Sequence, residues 1–245
     1  MSIGIIIQAR VGSTRLPNKI ILPIEREFTF LDLLLSKIKK NFPTIPIILA
    51  TSKNEENEIL KKYAEKNKVG FFKGEENNVL KRFIDCAENY QLKSIIRICS
   101  DNPFLDIQLL KNLIDNYEDE DYFSYKVNSN PSILTHYGFF AEIVSLNALK
   151  KVQKNKKGEC LEHVTNCIYT NNTDDFRINF IEKEIDNNYI RCTLDTLQDF
   201  KNLKEIYFNW YKKTSDNSYK SLLEYISKNK ELKELMKKEI LRNSK

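Results

Sequence analysis

The feature that most constrains this chain is a regular alternation, across its first half, of short apolar runs with segments of helical periodicity. Residues 3–9 are an Ile-rich apolar run that reads as a buried strand. Over residues 29–40, Leu31, Leu34, Leu35 and Ile38 recur at helical spacing. Strands are then predicted over 45–51, 69–72 and 94–99, alternating with helices over 54–67, 78–90 and 106–117. Strand followed by helix, four times over, is the pattern of an α/β fold: an open, mostly parallel sheet flanked by helices on both faces.

The second half is less regular. Strands are expected over 122–127, 139–144, 176–181 and 189–193, and helices over 146–154, 159–169 and 196–211. Residues 218–241 read as two Lys- and Glu-rich amphipathic helices. The expected organisation is one domain over 1–213, with a peripheral insertion at about 128–188, and a helical C-terminal extension over 214–245.

Several classes of protein are excluded as expectations. At 245 residues and 41% hydrophobic content the chain can bury a core without metals or disulfides. No apolar run approaches the roughly 20 residues that span a bilayer, so no membrane partner is expected. The opening MSIGIIIQAR has no basic segment ahead of its apolar run, so it does not read as a signal peptide, and a cytoplasmic protein is expected. Five cysteines without a CxxC pair are expected to be free thiols. A net charge of +5, without a dense basic stripe, argues against nucleic acid.

In open α/β sheets, ligands bind beyond the carboxyl ends of the strands. After the first predicted strand comes Arg10-Val11-Gly12-Ser13-Thr14-Arg15-Leu16-Pro17-Asn18-Lys19, and after the second comes Thr51-Ser52. Gly74 and Asn78-Val79-Leu80-Lys81-Arg82 follow the third strand, and Ser100-Asp101-Asn102-Pro103 the fourth. Topology alone gathers Arg10, Arg15, Lys19, Arg82 and Asp101 on one edge, with Arg97 just inside it. Three cations around a Gly-Ser-Thr turn suit a triphosphate. Gly12 permits close backbone approach, Ser13 and Thr14 can donate, the arginines can bind phosphate bidentately, and Lys19 supplies a point charge. A solvated loop whose arginines make salt bridges fits the same spacing. The loop is neither a P-loop nor a GxGxxG fingerprint. Asp101 and Asp195 each end a predicted strand. Either carboxylate can hold Mg²⁺ against phosphates or cap a turn or helix.

At these residues the chain resembles the cytidylyltransferase family that contains the acylneuraminate and 3-deoxy-manno-octulosonate enzymes, most nearly its spore-coat polysaccharide branch. The resemblance rests on IIIQARVGSTRLPNKIIL, Ala50-Thr51-Ser52, KGEENNVLKRF, RICSDNPFLD, Gly138 with Glu142, LEHVT and TLDTLQDF, all in family order. It implies a glycosyltransferase-A-like (Rossmann-like) nucleotidyltransferase fold. It also implies Mg²⁺-dependent transfer of CMP from CTP to a small anionic or sugar-like acceptor, with release of pyrophosphate. Arg10, Gly12, Ser13, Arg15 and Lys19 would bind the triphosphate, Ala9 and Thr51 would lie against the nucleoside, and Arg82 near the nucleotide. Arg10, Lys19 and Asp101 would carry catalysis, Asp101 and Asp195 the metal, and Glu142 and His163 the acceptor. The 128–188 region would add acceptor contacts and a homodimer interface. Asn77-Asn78 stands where the family commonly has an acidic pair, and Leu161 where it commonly has Arg, which bears on acceptor identity. A glycosyltransferase using a nucleotide sugar and a non-catalytic nucleotide-binding module are the alternatives. Release of pyrophosphate separates the first from a nucleotidyltransferase, and turnover the second.

Overall fold

The computed structural model describes residues 2–154, 158–170, 175–186 and 189–243. Its main sheet runs from edge to edge as β10 (Ile178–Lys183), β7 (Tyr122–Val127), β9 (Glu142–Ser145), β6 (Ser94–Cys99), β1 (Ile3–Gln8), β4 (Ile47–Ser52) and β5 (Gly70–Gly74), with β8 (Asn130–Pro131) paired to β7 off that path. The central strand β1 (Ile3–Gln8) pairs in parallel with β4 (Ile47–Ser52) on one side and β6 (Ser94–Cys99) on the other. Beyond β4 lies parallel β5 (Gly70–Gly74). Beyond β6 lies β9 (Glu142–Ser145), antiparallel to both β6 and β7 (Tyr122–Val127), and β10 (Ile178–Lys183) closes that edge.

The isoleucine run explains the position of β1. Ile5, Ile6 and Ile7 are all fully buried, as a strand covered on both faces requires. Side chains alternate across a strand, so Ile5 and Ile7 enter one core and Ile6 the other. The first core receives Leu31, Leu34 and Leu35 of α1 (Phe30–Asn41), Leu60 of α2 (Ile59–Lys66) and Leu109 of α4 (Ile107–Asp115). The second receives Phe83 of α3 (Val79–Asn89) and Leu149 of α5 (Leu146–Lys154).

Several expectations are corrected. The 128–188 region is not peripheral, because β9 occupies the sheet interior between β6 and β7. Residues 189–193 form no strand. Cys192 N donates to His136 O and Leu194 N to Asp101 O, which are isolated bonds to loops rather than a ladder. The helix expected over 159–169 is two, α6 (Gly158–His163) and α7 (Asn166–Thr170), broken where Val164 takes φ +51°. Cys160 and Cys167 are joined in a disulfide, with Cα atoms 5.5 Å apart, so they are not free thiols. Pro23–Glu25 (β2) and Phe28–Thr29 (β3) form a small hairpin absent from the sequence reading.

The helix expected over 196–211 is α8 (Leu197–Ile206) continued by a π turn, Tyr207–Tyr211. The extension forms α9 (Tyr219–Lys228) and α10 (Lys230–Arg242). Their Leu222, Ile226, Leu232 and Met236 are buried in the same core as β1 and α1.

Candidate active site

The loop after β1 is closed on itself. Asn18, in the left-handed region at φ +60°, donates its N–H to Val11 O, and so does Ser13. Val11 is buried and its own N–H donates to Asn57 Oδ1 at 2.9 Å. The Asn57 amide in turn donates to Ser52 Oγ at the end of β4, 2.8 Å away. Buried Asn57 thus ties the basic loop to the neighbouring strand end, a role its sequence context did not signal. The Ser13 N–H, expected to be available to a ligand, is taken by Val11 O.

A cleft of about 280 Å³ lies beyond the strand ends and is lined by Arg10, Gly12, Ser13, Arg15, Lys19, Arg82, Asp101 and Asp195. Sequence reasoning placed Arg10, Arg15, Lys19, Arg82 and Asp101 on this edge, with Gly12 and Ser13 in the loop between them; the structure adds Asp195. A Cβ on Gly12 would meet the Glu56 carboxylate. Arg10 makes no ion pair with any described residue. Arg82 is buried and donates to the carbonyls of Glu75 and Glu76, fixing the turn after β5. Burial and the facing charge of Arg10 both hold the Arg82 guanidinium below its ordinary value. Two guanidiniums in one cleft make its potential positive there.

Lys19 crosses the floor. Its Nζ lies 3.2 Å from Asp101 Oδ2 and 2.9 Å from Asp195 Oδ1. Burial opposes charging this amine, but Asp101 and Asp195 outweigh burial and hold its pKa above the ordinary lysine value. Asp195 has both oxygens engaged: Oδ1 with Lys19 and Arg15, Oδ2 with Arg191. Burial disfavours its charge, yet Lys19, Arg15 and Arg191 together hold its carboxyl below the usual range. Arg191 is fully buried, sits in a fork with Asp199 at 2.7 and 2.8 Å, and donates toward His136 Nδ1. Asp199 also caps α8 with Thr196, so the helix cap and the ion cluster are one structure. Neither site aspartate is a helix cap: Thr196 caps α8 and Asp106 caps α4.

These contacts decide which residues could hold a divalent cation. Asp101 keeps one carboxylate oxygen free of hydrogen bonds to any described residue, and its side chain is 30% exposed. Asp195, the other expected ligand, has each of its oxygens paired with at least one cation. Among the described residues no group of three or more His, Cys, Asp or Glu side chains is arranged to hold a metal. One carboxylate plus substrate oxygens is, however, a sufficient set for Mg²⁺, which dehydrates reluctantly and binds few protein ligands.

Other expected site residues fall elsewhere. Ala9 and Thr51 are buried and line none of the described clefts, where Gln8 and Ser52 do. Glu142, expected at the acceptor, is 1% exposed. It pairs with Arg97 and accepts from Tyr122 Oη at 2.6 Å and Thr165 Oγ1 at 3.1 Å, which leaves nothing for a ligand. Its position on β9 opposite Arg97 of β6 makes it the anchor of that arginine, whose side chain lines the cleft. His163, also expected at the acceptor, lines this first cleft instead.

A second cleft of about 230 Å³ shares Arg15, Cys99, Asp101 and Asp195 with the first and continues to Asn102, Ser132, Thr135, Phe140 and Thr193. Gly138, at φ +68°, lets its turn pack against Cys192 O, where a Cβ would lie only 2.7 Å away. Asp101 therefore stands on a wall common to two adjoining clefts.

A protein of Methanocaldococcus jannaschii described as uncharacterized is 32% identical over 233 residues, covering 94% of this chain and 92% of its own. The spore coat polysaccharide biosynthesis protein SpsF of Bacillus subtilis is 32% identical over 212 residues, 82% of this chain and 85% of its own. Among solved structures, a cytidylyltransferase from Leptospira borgpetersenii superposes with a TM-score of 0.82 at 28% identity, covering 95% of this chain and 96% of that one. The CTP complex of CMP:2-keto-3-deoxy-manno-octonic acid synthetase shares the fold, with a TM-score of 0.59 at 13% identity over 84% of this chain and 98% of that one. The cytidylyltransferase family profile matches residues 4–245, so the C-terminal helices fall within it. With that match across nearly the whole length and the strand-end clefts in place, the chain belongs to the cytidylyltransferase family, a family of enzymes with an α/β nucleotidyltransferase fold.

Proposed function

We propose that the protein transfers CMP from CTP to a small acceptor and releases pyrophosphate, with the nucleotide in the first cleft and the acceptor in the second. One observation carries the reading: Arg10, without an ion pair to any described residue, lines the same cleft as Arg82 and Asp101. The triphosphate supplies the missing negative charge. Arg10, Arg15 and Lys19 stabilise the charge that develops as pyrophosphate departs. An acceptor oxygen approaches from the second cleft, past the shared wall at Asp101, and attacks the α-phosphorus. The P–O bond to the acceptor forms as the bond to the β-phosphate oxygen breaks. Asp101 would hold Mg²⁺, which when bound neutralises phosphate charge and aligns the oxygens. Asp195 keeps Lys19 and Arg15 in place. In this reading the reaction takes place in the cytoplasm, where CTP is available. The likeness to SpsF supports a role in surface-polysaccharide precursors, and the protein acts as a homodimer in this reading.

The test is Mg²⁺-dependent pyrophosphate release from each of the four NTPs against a panel of sugars, polyols, sugar acids and sugar phosphates. Release from CTP, with a raised KM for CTP in Arg10→Ala and loss of turnover in Asp101→Asn, is expected. Release from CTP by an Asp101→Asn protein at the wild-type rate would contradict the assignment of Asp101.

A further inference from the structure

The second cleft contains an unusual set of side chains. Asn102, Ser132 and Thr193 line it and are 7%, 6% and 6% exposed. Not one of these side chains makes a hydrogen bond to a described residue, and Thr193 Oγ1 is wholly buried without a partner. Buried polar groups in folded proteins are nearly always hydrogen-bonded, and leaving one unmet costs on the order of 1–3 kcal/mol. Of the three, Thr193 Oγ1 is the one buried without a partner, and the unbonded polar atoms of Asn102 and Ser132 stay open to the cleft; together they offer a neutral polar lining to a ligand.

Their chemistry narrows the ligand. An amide and two hydroxyls are neutral and both donate and accept, as suits hydroxyl groups. The one cation on the wall, Arg15, is already bound by Asp195 at 3.0 Å and by Asn243 Oδ1 at 3.3 Å. Phe140 offers an apolar surface to a carbon skeleton.

Building on the proposed reaction, we infer that the acceptor cleft takes an uncharged polyhydroxyl compound, a neutral sugar or polyol, with Asn102, Ser132 and Thr193 as its specificity-determining contacts. The attacking group is then a hydroxyl. Its oxygen bonds to the α-phosphorus, its proton passes to water, pyrophosphate leaves, and the product is a CMP phosphodiester. An acceptor phosphate would instead give a CDP-linked product.

The inference is tested on the full chain saturated with CTP and Mg²⁺, so that failure to bind CTP marks failure of the proposed function and not of this one. Saturation-transfer NMR is run with glycerol, ribitol, glucose, mannose and N-acetylglucosamine, and with gluconate, glycerol 3-phosphate and glucose 1-phosphate. The expected result is binding of a neutral probe. That binding weakens about tenfold in Asn102→Ala and in Thr193→Val and returns in Thr193→Ser, while CTP affinity holds in all three; tenfold is the scale of one lost hydrogen bond. Phosphorus NMR of a turnover mixture should show a phosphodiester. Binding of charged probes alone, binding of none of the neutral probes by the CTP-loaded protein, or neutral binding indifferent to both Asn102→Ala and Thr193→Val would each overturn it.

Discussion

The ammonium of Lys19 lies 2.9 Å from the carboxylate of Asp195, a residue 176 positions further along the chain. This pair joins the basic loop after β1 to the segment before α8, and it does so on the floor of the first cleft. Because Arg15 and Arg191 hold the same carboxylate, Asp195 organises three cations.

That arrangement sets a pH dependence of stability. The Asp195 pKa is lowered in the folded state, so its contribution is present above the unfolded value of about 3.9 and disappears as pH falls through the lower folded value. Asp195→Asn should therefore destabilise the protein at pH 7, on the order of 3 kcal/mol as for a broken buried ion pair. The gap from wild type should close on acidification below pH ~4. Urea denaturation at pH 7 and pH 3 measures both; a gap that stayed constant would mean the ion cluster is not the source.

Asn57 bridges Val11 and Ser52 from a buried position. Asn57→Ala leaves the Val11 N–H and the Ser52 hydroxyl without that partner and should cost about 1–3 kcal/mol. Since the loop carrying Arg10 and Arg15 loses its tie to β4, KM for CTP should rise more than kcat falls. Steady-state kinetics beside a melting curve separates this from simple loss of fold.

The Arg97–Glu142 pair is almost wholly enclosed, with side chains 8% and 1% exposed. Removing only the carboxylate, in Glu142→Leu, strands a buried guanidinium and should cost about 3–5 kcal/mol. Replacing both partners, in Arg97→Met with Glu142→Leu, should recover much of that stability by the same reasoning, while the cleft loses one cation. If the double variant melts no higher than Glu142→Leu, the pair is not acting as a desolvated ion pair.

The disulfide between Cys160 and Cys167 encloses the segment that carries Glu162 and His163 to the cleft. Loop-closure entropy for so short a span gives about 2–3 kcal/mol. Reduction, or Cys160→Ser, should lower the melting temperature by several degrees. Thiol titration of the denatured protein provides the chemical check: three free thiols before reduction and five after.

Much of this architecture was legible because it follows local rules. The isoleucines of β1 and the leucines of α1 declare burial by pattern alone, and the strand-end rule put Arg10, Arg15, Lys19 and Asp101 on one edge. What escaped depended on distant partners. Nothing near Glu142 in sequence says that Arg97, Tyr122 and Thr165 will enclose it, and nothing near Asp195 announces that Arg191 and Lys19 will saturate it. Residues 189–193 look like a strand because apolar and polar residues alternate there, but no free sheet edge receives them. The Cys160–Cys167 bond depends on the break at Val164, a backbone event without a glycine to mark it. Thr193 became conspicuous only when the burial of its hydroxyl without a partner was visible.

The central claim, that CTP is the donor and occupies the cleft between Arg10 and Arg82, is tested most directly by thermal melts with each of the four NTPs, with and without Mg²⁺. At about 100 times its dissociation constant a ligand adds roughly 2.7 kcal/mol, a rise of about 5–10 °C for a chain of this size. The account predicts that rise for CTP with Mg²⁺, a smaller one without the metal, and a loss of the effect in Arg10→Ala. Unchanged melting with CTP, or an equal rise with all four nucleotides, would contradict it.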